Sequence, residues 1–325
     1  MRKKPTVTIG IPAYKRSLQA GIKEKVSVTI GIPAYNEEAN IGHLLKSLIK
    51  QKEEDFKIDK IIVSSDGSTD RTIEIVKSFK DSRIKLLDNK KRRGQASRQN
   101  QLVKHSKSDI FVLLEADTLP VGNYFVKNLI KPLREKNGLL FGVIFGEAIP
   151  LPPKNLFEKI MYFKVDLKNK IGRSSYGNDH LQKCSGFRGR AFSIDLVKKI
   201  KWVDDAPEDT FSLFSSQQMR AMIGYARNAK IYYRLPGNFG DYLRQYTKYS
   251  SGRKSILKYF PKEMIRNSEF PFVGAFTEVV KAFMKDPPMT ILYLAFLAIV
   301  FLRNIYSSDF NPFLEVYLST KKLKS

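Results

Sequence analysis

Asp109-Ile110-Phe111-Val112-Leu113-Leu114-Glu115-Ala116-Asp117 is an apolar run that stops at two carboxylates separated by one residue. Bounded by polar residues and too short for a typical helix, it reads as a strand buried on both faces of a parallel sheet. Its end then emerges at the carboxyl edge, where ligands sit in open α/β sheets. Two acidic side chains held this close repel each other unless a positive charge lies between them. Carboxylate oxygens suit a hard ion such as Mg²⁺ or Mn²⁺, which keeps open positions for the phosphates of a substrate. Alone, the tripeptide reads more simply as a strand running out into a solvated acidic turn, because short acidic patterns are common.

The neighbouring segments change that balance. Val7-Thr8-Ile9-Gly10-Ile11-Pro12-Ala13-Tyr14 recurs letter for letter as Val28-Thr29-Ile30-Gly31-Ile32-Pro33-Ala34-Tyr35. Only the second copy continues into Asn36-Glu37-Glu38 and a run with Ile41, Leu44, Leu45, Leu48 and Ile49 on one helical face. The second copy is therefore the first core strand, with Asn36 as helix N-cap and Glu37 and Glu38 at the positive end of the dipole. One duplication is too little for a solenoid. The first copy is expected to be an extension or an added edge strand, so that deletion up to Lys25 leaves activity intact.

Lys60-Ile61-Ile62-Val63-Ser64-Ser65 reads as the second strand, closed by the turn Asp66-Gly67-Ser68-Thr69-Asp70. Ser68 is placed to cap a helix carrying Ile73, Val76 and Phe79. A strand over 83–87, a helix opened by Gly94, a helix over 124–133 and a strand over 139–145 complete the alternation. Alternation of this kind predicts an α/β fold, a mostly parallel sheet with helices on both faces. The first, second and fourth strands each deliver carboxylates or turn residues to one edge. That convergence favours a metal and phosphate site over a solvated turn.

The 325 residues are 42% hydrophobic, ample for a core, and carry a net charge of +25. Such a charge demands a negative partner: nucleic acid, anionic lipid or a phosphorylated substrate. No zinc-finger, RNA-recognition or helix-turn-helix pattern is present, so nucleic acid is the weakest of the three and is not expected. The single cysteine, Cys184, excludes an intrachain disulfide and fits a reducing compartment. Met1-Arg2-Lys3-Lys4-Pro5 lacks the apolar core of a signal peptide, so the catalytic part is expected on the cytoplasmic side.

After the first strand, Pro33-Ala34-Tyr35-Asn36-Glu37-Glu38 lacks the glycines of a dinucleotide fingerprint, and no Walker A sequence occurs. Phosphates must then be met by metal and by basic side chains, as the acidic pair and Lys91-Arg92-Arg93 would allow. Together with Ser65-Asp66-Gly67-Ser68-Thr69-Asp70, Arg93-Gly94-Gln95-Ala96-Ser97-Arg98, Glu115-Ala116-Asp117, Glu208-Asp209, Gly224-Tyr225-Ala226 and Gln245-Tyr246-Thr247-Lys248-Tyr249, that segment resembles a family 2 glycosyltransferase of the GT-A fold. The resemblance follows the family's order over about two-thirds of the chain. It implies that Pro33, Tyr35, Glu37 and Asp66 line the nucleotide pocket, that Arg93 and Gly94 lie beside the diphosphate, and that Asp117 holds the metal. Glu115 stands where the family has the first aspartate of Asp-x-Asp, keeping the charge on a longer arm.

The same resemblance makes Asp209, beside Glu208, the general base of an inverting transfer. Such a displacement needs a base for the acceptor's proton and a cation for the leaving diphosphate. Gln245, Lys248 and Tyr249 correspond to the family's Gln-x-x-Arg-Trp, with lysine lacking arginine's bidentate fork. The segment from Ser185 through Gly186, Phe187, Arg188 and Gly189 resembles a loop touching the acceptor or donor sugar. The implied donor is a nucleotide-diphosphate sugar, the cofactor Mg²⁺ or Mn²⁺, and the acceptor a lipid-linked phosphate or a glycan.

Met289 to Leu302 is uncharged and follows an amphipathic, Phe-rich stretch over 270–284. It falls short of the ~20 residues that cross a bilayer without help. Membrane attachment is expected nonetheless, since a basic chain binds anionic lipid, although a buried C-terminal helix is the alternative. Three regions follow: an extension over 1–26, a catalytic domain over 27–255 and a membrane-associated helical region over 256–325. Two rivals stand beside the transferase: a sugar-nucleotide pyrophosphorylase, whose glycine-rich first loop is missing here, and a noncatalytic basic membrane or RNA-binding protein.

Overall fold

The structure, a computed structural model, describes residues 25–135, 138–176, 188–266 and 272–305. The first copy of the duplicated segment, Gly186, Phe187 and Cys184 lie outside these residues. The strands are β1 (Val26–Ala34), β2 (Phe56–Asp66), β3 (Ile84–Asn89), β4 (Ile110–Leu114), β5 (Thr118–Pro120), β6 (Arg134–Glu135), β7 (Gly138–Leu139), β8 (Gly142–Pro150), β9 (Gly189–Ser193) and β10 (Met222–Tyr233). The helices are α1 (Ile41–Ile49), α2 (Thr72–Ser78), α3 (Gln95–His105), α4 (Phe125–Ile130), α5 (Leu156–Tyr176), α6 (Ile194–Val197), α7 (Glu208–Gln218), α8 (Phe239–Ile256), α9 (Lys262–Arg266), α10 (Phe272–Lys285) and α11 (Pro287–Ile305).

Among these residues, eight strands form one sheet in the order β3-β2-β1-β4-β9-β8-β10-β5. The expected α/β sheet is present, and β1 pairs in parallel with β2 and β4 because each is apolar on both faces and feeds a crossover helix. The expected strand over 139–145 begins later, at Gly142, and runs to Pro150. Beyond the fourth strand the alternation breaks: β9 enters between β4 and β8 and runs antiparallel to both. This insertion brings residues some 75 positions downstream of β4 against its end, with Gly189 opposite Leu114. One apolar layer joins β1, β2 and β4 to α1 and α4, and a second, on the other face, joins Leu102 and Val103 of α3 to Trp202 and Phe211.

Two expected caps fall elsewhere. α1 starts at Ile41 behind Asn40, five residues into the polar stretch, and not behind Asn36. Asn36 instead takes a left-handed φ of 52° and its Oδ1 accepts the Thr69 N–H at 2.8 Å. Ser68 accepts the Asn36 N–H, while Asp70, one residue before the α2 N-cap Arg71, accepts the Thr72 N–H at 3.0 Å. Short polar side chains compete for local backbone donors, and here they tie the ends of β1 and β2 to each other.

Candidate active site

The ends of β1, β2 and the segment before α3 meet at Asp66. Its carboxylate accepts the Arg93 and Gly94 N–H groups at 2.8 and 2.9 Å and the Arg98 Nε–H at 2.6 Å. Asp66 and Arg98 are both about 95% buried, so this is an ion pair of the interior, fully engaged with donors. Two glycines make the crossing feasible. Gly67 at φ 74° and Gly94 at φ 86° take left-handed backbone that other residues enter at a cost, and a side chain on Gly67 would also meet the Arg92 backbone at 3.1 Å. The loop is held from above as well, by the Arg92 guanidinium stacked 3.9 Å from the centre of the Tyr35 ring. Pro33 and Glu37 are half-buried beside it, with Glu37 accepting from Asn40 Nδ2 at 2.9 Å.

The second cluster forms where β4 ends. Because β9 pairs antiparallel with β4, Arg188 arrives directly against Glu115. Its Nη1 donates to Glu115 Oε2 at 2.7 Å and lies 3.5 Å from Asp117 Oδ2, while its guanidinium stacks 4.2 Å from the Tyr233 ring. Arg188 thus supplies one positive charge beside the two carboxylates, whose side chains stay partly exposed. Burial pushes the Glu115 carboxyl up to about 7; Arg188 opposes that shift, and the negative charges of Asp117 and Asp209 reinforce it. Asp209 is thus near enough for its charge to act on the Glu115 carboxyl.

Asp209 is carried by α7, whose first turn is fixed from beneath. The Glu208 carbonyl accepts from Arg190 Nη1 at 3.1 Å, from Trp202 Nε1 at 3.0 Å and from Ser212 Oγ at 2.7 Å. Arg190 is 1% exposed and packs in the same strand, β9, that delivers Arg188. Asp209 itself is half-buried and accepts the Thr210 N–H at 2.7 Å. Neither Arg190 nor Trp202 stood out in the sequence, since each acts through space on a carbonyl 18 or 6 positions away. The clue available was positional: Arg190 alternates with Arg188 across one glycine.

A divalent ion is tested by its donors. Glu115 and Asp117 offer hard oxygens, 26% and 21% exposed at the side chain, and both lie within reach of one guanidinium nitrogen. Among the described residues no group of three or more acidic, histidine or cysteine side chains is arranged to enclose a metal. Two carboxylates without a third protein ligand fit Mg²⁺ or Mn²⁺ that completes its shell with water and diphosphate oxygens.

The remaining expected residues are more dispersed. Gln245 is half-buried on α8, where Tyr246 stacks on the buried Tyr242 at 6.0 Å. Lys248 and Tyr249 lie on the same helix, with their side chains outside the described residues. An open basin of about 770 Å³ flanks Arg93, with Lys90, Lys91, Lys104, Trp202 and Asp204 in its walls, and Glu115, Asp117 and Asp209 are not among them. Asp204 lies on the approach to Gly94, where an added Cβ would sit 3.6 Å from its Oδ1, and thereby connects the Asp66 loop to the segment leading into α7.

Comparison with known proteins identifies the family and the fold. Residues 29–195, just over half of the chain, match Glycosyl transferase family 2. A glucosyltransferase of Escherichia coli, UDP-Glc:alpha-D-GlcNAc-diphosphoundecaprenol beta-1,3-glucosyltransferase, is 30% identical over 105 residues. That match covers 32% of this chain and 40% of the relative. In structure, the chain is similar to a mannosyltransferase from Pyrobaculum calidifontis in complex with GDP-Man and Mn²⁺, with TM-score 0.55, 15% identity and coverage of 89% of this chain and 78% of that one. It is also similar to S. aureus TarS bound to UDP-GlcNAc, with TM-score 0.50, 16% identity and coverage of 66% and 60%.

Proposed function

The chain belongs to glycosyl transferase family 2, and from that premise we propose that it transfers a sugar from a nucleotide-diphosphate donor to a lipid-linked or glycan acceptor, with inversion, at the cytoplasmic face of the membrane. The observation that carries this reading is the meeting of Glu115 and Asp117 on Arg188 beside β9, the strand whose Arg190 also holds the first turn of α7, where Asp209 sits, through the Glu208 carbonyl. In this reading the acceptor oxygen attacks the anomeric carbon and its proton passes to Asp209. The bond from that carbon to the diphosphate breaks, and the diphosphate leaves with the electron pair.

Asp117 and Glu115 would hold Mg²⁺ or Mn²⁺, which when bound neutralises charge on the leaving diphosphate. The Asp66 loop supports the donor: its N–H groups at 93 and 94 are fixed on a buried carboxylate, so Arg93 is presented from a rigid turn. Arg190 and Trp202 position the base through the Glu208 carbonyl. The bound GDP-Man and Mn²⁺ of the similar mannosyltransferase, and the diphosphoundecaprenol acceptor of the Escherichia coli relative, support the donor, metal and acceptor classes. Family membership sets aside the pyrophosphorylase and the noncatalytic basic protein as leading readings.

The test is sugar transfer or donor hydrolysis with Mg²⁺ or Mn²⁺ and a panel of UDP- and GDP-sugars. Asp209→Asn should lower turnover by about 10²- to 10⁴-fold while nucleotide binding persists, the range a positioned general base supplies. Wild-type turnover in both Asp209→Asn and Asp117→Ala would contradict the mechanism.

A further inference from the structure

The transfer reaction leaves the C-terminal helices unexplained. α11 is apolar around its whole circumference, a pattern found in helices buried on all sides or bathed in lipid. One face is buried in protein: Phe296 lies 4.9 Å from Tyr242, 5.7 Å from Phe157 and 5.9 Å from Phe239, and Tyr293 lies 5.5 Å from Phe163. These contacts pin α11 along α5 and α8. The opposite face carries Ile291, Ile299, Phe301 and Leu302, each 54–66% exposed. α10, packed beside it, adds Phe276, Phe283 and Met284, exposed by 62%, 45% and 79%. Isolated exposed apolar residues are ordinary, whereas a contiguous two-helix face of this kind marks a docking surface.

We propose that the outer face of α10 and α11 seats in the interfacial layer of an anionic lipid bilayer, with α11 lying along the membrane surface. The orientation follows from the packing, because a helix fastened by its inner face to the protein body presents its side, and not its end, to lipid. Among the described residues no helix is long and apolar enough to cross a membrane. The choice of lipid follows from charge. A chain of net charge +25 is drawn to anionic headgroups and repels a second copy of itself. Exposed Lys285 and Arg303 lie at the last turns of α10 and α11. Their stems cover apolar surface while the charges reach headgroups.

This seating rests on the membrane location proposed for the transfer, and vesicle flotation and donor hydrolysis can fail independently. The full chain is floated with phosphatidylcholine vesicles that contain or lack phosphatidylglycerol, and its mass in free solution is measured. Wild type should float with the anionic vesicles and be monomeric in solution. Phe283→Ser/Met284→Ser and Ile299→Ser/Phe301→Ser alter only exposed positions; each should lower the vesicle partition coefficient on the order of tenfold or more with an unchanged melting temperature. Wild type remaining in the dense fraction with anionic vesicles would overturn the proposal, as would equal flotation of both double variants. A dimer in solution that either variant converts to monomer would assign the face to a second copy and overturn it too. Donor hydrolysis by the floated and unfloated variants reports on the catalytic reading independently.

Discussion

At the residue scale, the site is a set of charges with assigned partners. Asp66 resembles a pocket residue in sequence, yet its oxygens are engaged by two backbone N–H groups and the buried Arg98. Asp66→Ala should therefore destabilise the fold by about 3–5 kcal/mol, the cost of leaving a buried cation unpaired. Urea unfolding measures this, and a loss below about 1 kcal/mol would show that water compensates Arg98. Glu115 and Asp117 were legible from the sequence as a carboxylate pair at a strand end, whereas Asp209 was legible only through the family resemblance, since an acidic residue at a helix start is common. Their geometry was not legible. Arg188 reaches Glu115 only because β9 inserts next to β4, and pairing between strands far apart in sequence leaves no local signal.

At the element scale, the first turn of α7 is the part on which base placement depends. Trp202, the only tryptophan in the chain, donates to the Glu208 carbonyl and lies edge-on to Phe192 at 6.2 Å, so its emission reports on that turn. Arg190→Met should shift the emission to the red and lower kcat by roughly 10²-fold with a small change in KM, since misplacement of a catalytic group costs about that much. An unchanged spectrum with unchanged kcat would remove Arg190 from the positioning role.

The α5–α8 contact gives a pH signature. Burial holds the Lys164 ammonium, 4.5 Å from the Tyr242 ring centre, down at about 8 from its usual 10.5. Between those values the unfolded chain binds more protons than the folded one, so stability should rise with pH from about 8 toward 10. Above pH 10 the rise is opposed, because burial holds the Tyr293 hydroxyl up at about 12. Lys164→Met should be more stable at pH 7 and should flatten the rise, as melting temperature against pH will show. The first four strands and helices α1 to α4 were readable from apolar runs and periodicity, whereas α5 and β10 were not; the burial of β10 mixes exposed and half-buried positions over 12 residues.

At the scale of the whole molecule, β1 occupies the interior of the sheet with β2 on one side and β4 on the other. Among the described residues, both edges of β1 are paired, and the duplicated segment at 7–14 lies outside those residues. Deletion up to Lys25 should thus preserve folding and kcat/KM within about twofold; collapse of the truncated chain would give the first copy a structural role. The central claim, that distant carboxylates gather around one sugar-diphosphate site, is tested most directly by calorimetric titration of the full chain with UDP and GDP, with and without Mn²⁺. Metal-dependent binding of one nucleotide by wild type, abolished in Asp117→Ala and retained in Asp209→Asn, is the result expected. Binding by wild type that ignores Mn²⁺ and survives Asp117→Ala unchanged would contradict it.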